Sequence, residues 1–397
     1  MKISKRASGV SPSLTLAITA KAAKLKKEGV DVVSFGAGEP DFDTPEFIRD
    51  AAKEALDKGI TRYTDASGTP DLRKAIAASI KKNQGLEYDF SQIIVSNGAK
   101  HSLSNAIEAT VEAGEEVIIP APYWLTYPEL VKLSDGVVVV AETADAGYKL
   151  TPDILKKYIT EKTRAVIINN PNNPSGVVYS KAEIFALAAE LEKHPDIYII
   201  SDEIYDELCY GERAVSIATY SEAIKERTIL VNGVSKSYAM TGWRIGYTAS
   251  ALPLAKAMGS IQSHATSNPN SMAQYAALAA YTDPRGDVFL AEMNKIFSAR
   301  RDLMAGIVKD AGLSIIQPDG AFYVMINVGQ FFGKQYNGRK ITCAQDIAEL
   351  LLDDVNVAVV PCESFGAADF IRLSYATSDA QIKKGLERIL TFFNKLK

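Results

Sequence analysis

The sequence predicts an α/β protein: a large α/β/α layer built on a mostly parallel seven-stranded sheet, with a smaller α+β unit beside it. Three observations carry this. Short apolar runs recur between Ile93 and Thr248, each bounded by Gly, Pro, Asn or Asp. The runs are continuous rather than alternating, which is the pattern of strands covered on both faces. Helical patterns separate several of them, as crossover connections between parallel strands require.

The elements follow in chain order. Thr44-Pro45 opens a helix in which Thr44 caps and Ile48, Ala52 and Ala55-Leu56 recur at helical spacing, with Gly59 as the stop. Thr69-Pro70 repeats the device with Leu72, Ile76 and Ile80, stopped by Gly85. The seven strand candidates are Ile93–Val95, Val117–Ile119, Val137–Val140, Ala165–Ile168, Ile197–Ile200, Ile229–Val231 and Ile245–Thr248. Ser180-x-x-Glu183 is a capping box ahead of Ile184, Leu187 and Leu191. Beyond about residue 285 the texture changes. A long helix runs through Phe289–Ile307, then strands at Ala321–Val328, Val357–Val360 and Phe370–Tyr375. Thr342-x-x-Gln345 predicts a capped helix between the first two, and Ser378-x-x-Gln381 starts a last one with Ile382, Leu386, Ile389 and Phe393.

Composition narrows the function. The 397 residues are 47% hydrophobic and 23% charged, with a net charge of −4. That excludes long disorder and an electrostatic nucleic-acid binder. No apolar run approaches the ~18 residues of a membrane span. Lys2, Lys5 and Arg6 ahead of Leu14–Ala20 mimic a secretory leader, but Thr15 and Thr19 dilute the run and Lys21 ends it. Cys209, Cys343 and Cys362 have neither metal nor disulfide spacing, as expected of reduced cytoplasmic thiols. His101, His194 and His264 form no metal pattern either.

Four segments at predicted strand ends carry chemistry. Ser96-Asn97-Gly98-Ala99-Lys100 joins a strand to a helix, where backbone amides and the helix dipole favour an anion. Asn169-Asn170-Pro171-Asn172-Asn173-Pro174-Ser175-Gly176 fixes a rigid loop rich in amide side chains. Ser201-Asp202-Glu203-Ile204-Tyr205 presents a carboxylate and a phenol. Asn232-Gly233-Val234-Ser235-Lys236 precedes Met240-Thr241-Gly242-Trp243-Arg244-Ile245-Gly246. A lysine straight after a buried strand is costly to keep charged, and Schiff-base chemistry suits a desolvated amine. Singly, each segment also fits ordinary structure: a plain turn, a rigid loop, a capping Asp beside a packed Tyr, a surface lysine. Their shared position at strand ends of one sheet is the geometry of a ligand site.

Together these segments closely resemble the pyridoxal-phosphate aminotransferases of fold type I, within them the aspartate aminotransferase subgroup that includes prephenate aminotransferases. The resemblance runs from Gly36-Ala37-Gly38-Glu39-Pro40-Asp41-Phe42 through Pro120-Ala121-Pro122-Tyr123-Trp124 to Phe370-Ile371-Arg372-Leu373-Ser374-Tyr375-Ala376. It implies that Lys236 carries pyridoxal 5'-phosphate, that Asp202 pairs with the ring nitrogen, and that Tyr205 and Asn173 bond the ring oxygen. Trp124 stacks on the ring, while Gly98, Ala99, Ser235 and Arg244 hold the phosphate. Tyr63 is similar to the tyrosine that reaches the phosphate of the neighbouring subunit, which implies a homodimer. Arg372 and Gly38 are similar to the residues that hold the substrate α-carboxylate. Lys100 is similar to the lysine that reads a distal carboxylate. The chain departs from the common pattern at Ser175, Asn97 and His101-Ser102.

The resemblance further implies a large cofactor domain over residues 46–285 and a small domain formed by residues 1–45 and 286–397. The expected reaction passes the amino group of L-aspartate to 2-oxoglutarate. Prephenate transamination is an alternative, and a pyridoxal-phosphate β-lyase a further one. A dehydrogenase is excluded because Gly36-Ala37-Gly38 lacks the third glycine of the dinucleotide fingerprint. A DNA-binding regulator does not fit the acidic balance.

Overall fold

The computed structural model describes residues 3–12 and 14–397, so Lys2 lies outside it. All seven central strands form where the apolar runs predict them. They are β1 (Ile93–Ser96), β2 (Glu116–Pro120), β3 (Val137–Ala141), β4 (Thr163–Asn169), β5 (Tyr198–Asp202), β6 (Thr228–Gly233) and β7 (Gly246–Ala249). They make one seven-stranded sheet in the order β1-β7-β6-β5-β4-β2-β3. β7 pairs antiparallel with β1 and β6, and the other neighbours are parallel.

Burial on both faces explains the unbroken apolar runs. On β5, Ile199 packs into one apolar cluster and Ile200 into another; on β4, Val166 and Ile167 divide the same way. On β1, Val95 faces the largest cluster, which also holds Leu72 and Ile76 of the Pro70–Gln84 helix and Phe297 of the Arg285–Asp310 helix.

The carboxy-terminal portion carries a second sheet of β8 (Ile315–Ile316), β9 (Tyr323–Asn327), β10 (Val360–Pro361) and β11 (Phe370–Ser374), in the order β10-β11-β9-β8, all antiparallel. The last helix, Asp379–Phe393, starts as predicted, with Ser378 accepting from the Gln381 amide.

Some local expectations are corrected. Thr44 does not cap: its hydroxyl donates to the Ala239 carbonyl and accepts from the Trp243 indole, and the helix begins at Glu46 behind Pro45. Thr69 likewise makes no side-chain cap, although Pro70 opens that helix as expected. Thr342 is not half of a capping box. Its amide and hydroxyl both donate to Asp346, while Glu363, from elsewhere in the chain, accepts from the Gln345 amide. Finally, Val357–Val360 is not one strand. Val357–Ala358 pairs parallel with Val33–Ser34, and the chain then turns so that Val360–Pro361 joins β11. Tertiary partners, invisible to local pattern, decided Thr44 and Val357–Val360, whereas Thr342 is claimed by Asp346 four residues on.

Candidate active site

The site lies at one edge of the central sheet. The parallel register aligns Asn169 with Asp202 and Asp202 with Val231, so the carboxyl ends of β4, β5 and β6 finish together. Because β7 runs the other way, its start meets the ends of β1 and β6: Gly246 lies opposite both Ser96 and Gly233. One reversed strand thus delivers Arg244 to the same edge as Gly98, Asn173, Asp202 and Lys236. Between this edge and the second sheet lies a cavity of about 360 Å³. Gly38, Ala99, Lys100, Trp124, Asn173, Asp202, Tyr205, Ser235, Lys236, Arg244 and Arg372 all line it.

The buried amine is the centre of the site. Lys236 lies in the short helix Val234–Ser237 after β6 and donates to the Gly38 carbonyl. Burial pulls its ammonium down from 10.5 to about 8, with Arg244 and Arg372 adding repulsion against the attraction of Glu39 and Asp202. Asp202 ends β5 and is 2% exposed. Its carboxylate accepts from the Tyr127 hydroxyl at 2.7 Å and the Ile204 amide at 3.2 Å. Burial still wins over these bonds and raises it from 3.8 to about 6.

Tyr205, Asn173 and Arg372 form a linked set. The Asn173 amide donates to the Tyr205 hydroxyl, Arg372 donates to the Asn173 oxygen at 2.9 Å, and the Tyr205 and Tyr323 hydroxyls meet at 3.1 Å. Burial holds the Tyr205 phenol far above its ordinary value, so it stays a donor. Arg372 is 2% exposed, lies 4.3 Å over the Tyr323 ring, and has no partner for its Nε.

Gly98 caps the Ala99–Thr110 helix, and although Ala99 lines the cavity Gly98 itself is not among the lining residues. Its φ of +87° suits glycine, and a Cβ there would collide with the Arg244 guanidinium. Lys100, on that helix, faces the Trp124 ring at 5.0 Å; burial and Arg244 lower its ammonium. Tyr63 lies further out. It is 89% exposed and is not among the residues lining this chain's cavity.

Sequence reading missed Tyr127 and Tyr323. Tyr127 follows Trp124 by three residues and meets it edge to face at 5.6 Å. Tyr323 is two residues from Met325, the register partner of Arg372, so pairing the two strands exposes it as a same-face neighbour.

The charge pattern is distinctive. Among the described residues Lys100, Arg244 and Arg372 make no ion pair, although carboxylates balance most other arginines. Of the three only Arg372 is buried, while Lys100 and Arg244 are exposed, and cations without acid partners around one cavity fit a ligand that brings its own anions. Asp202, likewise without a cationic bond, fits a protonated ring nitrogen. A turn offering the Ala99 amide beside Arg244 fits a phosphate, the Gly98 amide being taken by the Ser96 carbonyl at 2.7 Å. The residues present therefore suit pyridoxal phosphate together with a carboxylate substrate. Among the described residues no group of three or more His, Cys, Asp or Glu side chains could hold a metal ion.

A sheet-edge cavity that joins a buried amine to unpaired cations defines a protein that handles anionic carbonyl or amine compounds. The sequence family described as aminotransferase class I and II matches residues 30–389, and the chain belongs to that family. It is 46% identical to an aspartate aminotransferase of Bacillus subtilis over 100% of both chains. It is 45% identical to an aspartate/prephenate aminotransferase of Cereibacter sphaeroides over 96% of both. The solved aspartate aminotransferase of Rhizobium meliloti superposes with a TM-score of 0.95 at 42% identity, covering 100% of each chain. That of Thermus thermophilus, solved with maleate, gives 0.92 at 39% identity, covering 99% of this chain and 100% of its own.

Proposed function

We propose that this aminotransferase moves the amino group of L-aspartate to 2-oxoglutarate, giving oxaloacetate and L-glutamate, with pyridoxal phosphate as cofactor. The observation that carries the reading is the set of cations without acid partners around a buried amine. Arg372 suits the α-carboxylate, because a guanidinium fork matches that planar anion and its Nε has no other partner. The Gly38 backbone lies beside it on the cavity wall. Lys100 is left for a distal carboxylate. The relatives named for aspartate and the Thermus structure holding maleate, itself a dicarboxylate, support that choice.

Pyridoxal phosphate supplies, when bound, an aldehyde that takes up the amino group and a ring that accepts the electrons freed at the substrate Cα. The chain supplies the rest. Gly98, Ala99, Ser235 and Arg244 would hold the phosphate, and Trp124 would pack on the ring. Asp202 would keep a proton on the ring nitrogen. Asn173 and Tyr205 would donate to the ring oxygen. Lys236, with its ammonium near 8, gives up a proton close to neutrality and can then move one at the substrate Cα.

Tyr63 serves the neighbouring subunit of a homodimer, which accounts for its exposure in a single chain. We assign residues 46–285 to the cofactor-binding domain and residues 1–45 with 286–397 to the small domain, and expect the enzyme in the cytoplasm. A panel of amino donors with 2-oxoglutarate, then prephenate as acceptor, tests the substrate. Aspartate should head the panel. A higher kcat/KM with a neutral or aromatic donor would overturn the aspartate reading, and efficient use of prephenate would widen it, as the relatives named for both substrates suggest.

A further inference from the structure

Tyr63 projects from the chain, yet the backbone around it is firmly held. Two glutamines with no exposed surface reach the segment Arg62–Thr69 from behind. Gln274, from the Ser271–Thr282 helix, accepts from the Thr69 amide at 2.7 Å and donates to the Thr64 hydroxyl at 3.2 Å and the Pro269 carbonyl at 2.9 Å. Gln262, from the Leu252–Ala265 helix, donates to the Ala66 carbonyl at 2.6 Å and the Val95 carbonyl at 2.7 Å, and accepts from Asn105. The Ser271 hydroxyl adds a bond to the Arg62 carbonyl at 2.8 Å. Gly68, at φ +98°, lies so close to β1 that a Cβ would come within 2.7 Å of Val95.

A buried amide is costly unless each donor and acceptor is bonded. Here both glutamines are satisfied, and half of these bonds go to this one segment while none goes to their own helices. Leucine would fill such positions at less cost if packing were the only need. The segment is also tied to the end of β1, one residue before Ser96 and the turn to Gly98. An exposed side chain that must act on another subunit gains from being set in advance, because ordering its loop on contact would weaken the contact.

We infer that Gln274 and Gln262 are positioning residues for Tyr63, fixing its loop within one subunit so that its phenol meets the cofactor phosphate of the neighbouring subunit. This rests on the reading of Tyr63 given above. Its distinctive consequence is that Gln274 acts on the partner's site and not on its own.

Cofactor-free homodimers of Tyr63→Phe, Gln274→Leu and Thr64→Val are titrated with pyridoxal phosphate, binding being read from cofactor absorbance. Thr64→Val removes one of the same bonds from the loop side and covers the case in which Gln274→Leu does not fold. Each should bind about three- to tenfold more weakly than the wild type, the scale of one lost hydrogen bond. Mixed dimers of Tyr63→Phe with Gln274→Leu, or with Thr64→Val, are then isolated through two different affinity tags. The inference predicts that both sites of the mixed dimer bind weakly, since one receives a ring without its hydroxyl and the other a misplaced Tyr63. Wild-type affinity at half of the sites would show that Gln274 serves its own subunit and would overturn the inference. Unchanged binding by the Gln274→Leu or Thr64→Val homodimer would do the same. Unchanged binding by Tyr63→Phe would instead remove the reading of Tyr63 itself.

Discussion

Replacing Asp202 with asparagine should make the cofactor-free protein more stable while destroying its catalysis. Asp202 is fully buried, and its folded-state value near 6 exceeds the ordinary 3.8. A carboxylate raised in this way is neutral in the folded protein at low pH. It costs stability as pH rises from the unfolded value through the folded one, and the full cost is present above about pH 7. The gap is about two pH units, each equivalent to 1.36 kcal/mol, so the cost is about 3 kcal/mol at pH 8. The asparagine side chain keeps an acceptor for the Ile204 amide and can meet the Tyr127 hydroxyl with its own amide. After allowance for weaker neutral hydrogen bonds, a net gain of about 1–2 kcal/mol remains. Thermal unfolding of cofactor-free wild type and Asp202→Asn from pH 4 to pH 8 reads this directly. The variant should melt higher at pH 8, and the difference should close toward pH 4. A variant that melts lower at pH 8, or a difference that does not vary with pH, would refute the desolvation argument. With cofactor restored, the same variant should lose about 10²- to 10³-fold in kcat, because no charge then holds the ring nitrogen protonated.

Other substitutions separate the remaining roles. Lys236→Ala should abolish turnover together with the visible absorbance of the lysine-bound cofactor, and normal activity in this variant would sink the assignment of the amine. Arg372→Lys keeps the charge but loses the fork, so kcat/KM should fall about 30-fold or more for every amino donor alike, as steady-state kinetics would record. Lys100→Ala should cost aspartate much more than an aromatic amino acid; equal losses on both would remove Lys100 from side-chain recognition.

The central sheet was legible because its strands are buried on both faces, and burial of that kind writes an unbroken apolar run. Site segments were legible for a related reason. Each follows a strand, and a parallel sheet gathers strand ends at one edge. That position singled out the segments of Asp202, Asn173 and Lys236, and the family resemblance supplied the role expected of each. What escaped was decided by partners distant in sequence. Thr44 looks like a cap until Ala239 and Trp243 claim its hydroxyl. Val357–Val360 reads as one strand, yet its halves join different sheets. Tyr127 carries no motif of its own, and only the fold brings its hydroxyl to Asp202 across 75 residues of chain. The grip of Gln262 and Gln274 on the Tyr63 loop is equally long-range, with partners separated by up to 210 residues.

A cation-lined cavity around a buried lysine is built to exchange amino groups between dicarboxylic acids, and amino-group balance tests this most directly. Purified enzyme loaded with pyridoxal phosphate is given aspartate and 2-oxoglutarate, and oxaloacetate, glutamate and ammonia are quantified over time. Oxaloacetate and glutamate should rise in equal amounts with no free ammonia, and nothing should accumulate beyond one turnover when 2-oxoglutarate is left out. Sustained ammonia release without the keto acid would mark a lyase and contradict the exchange.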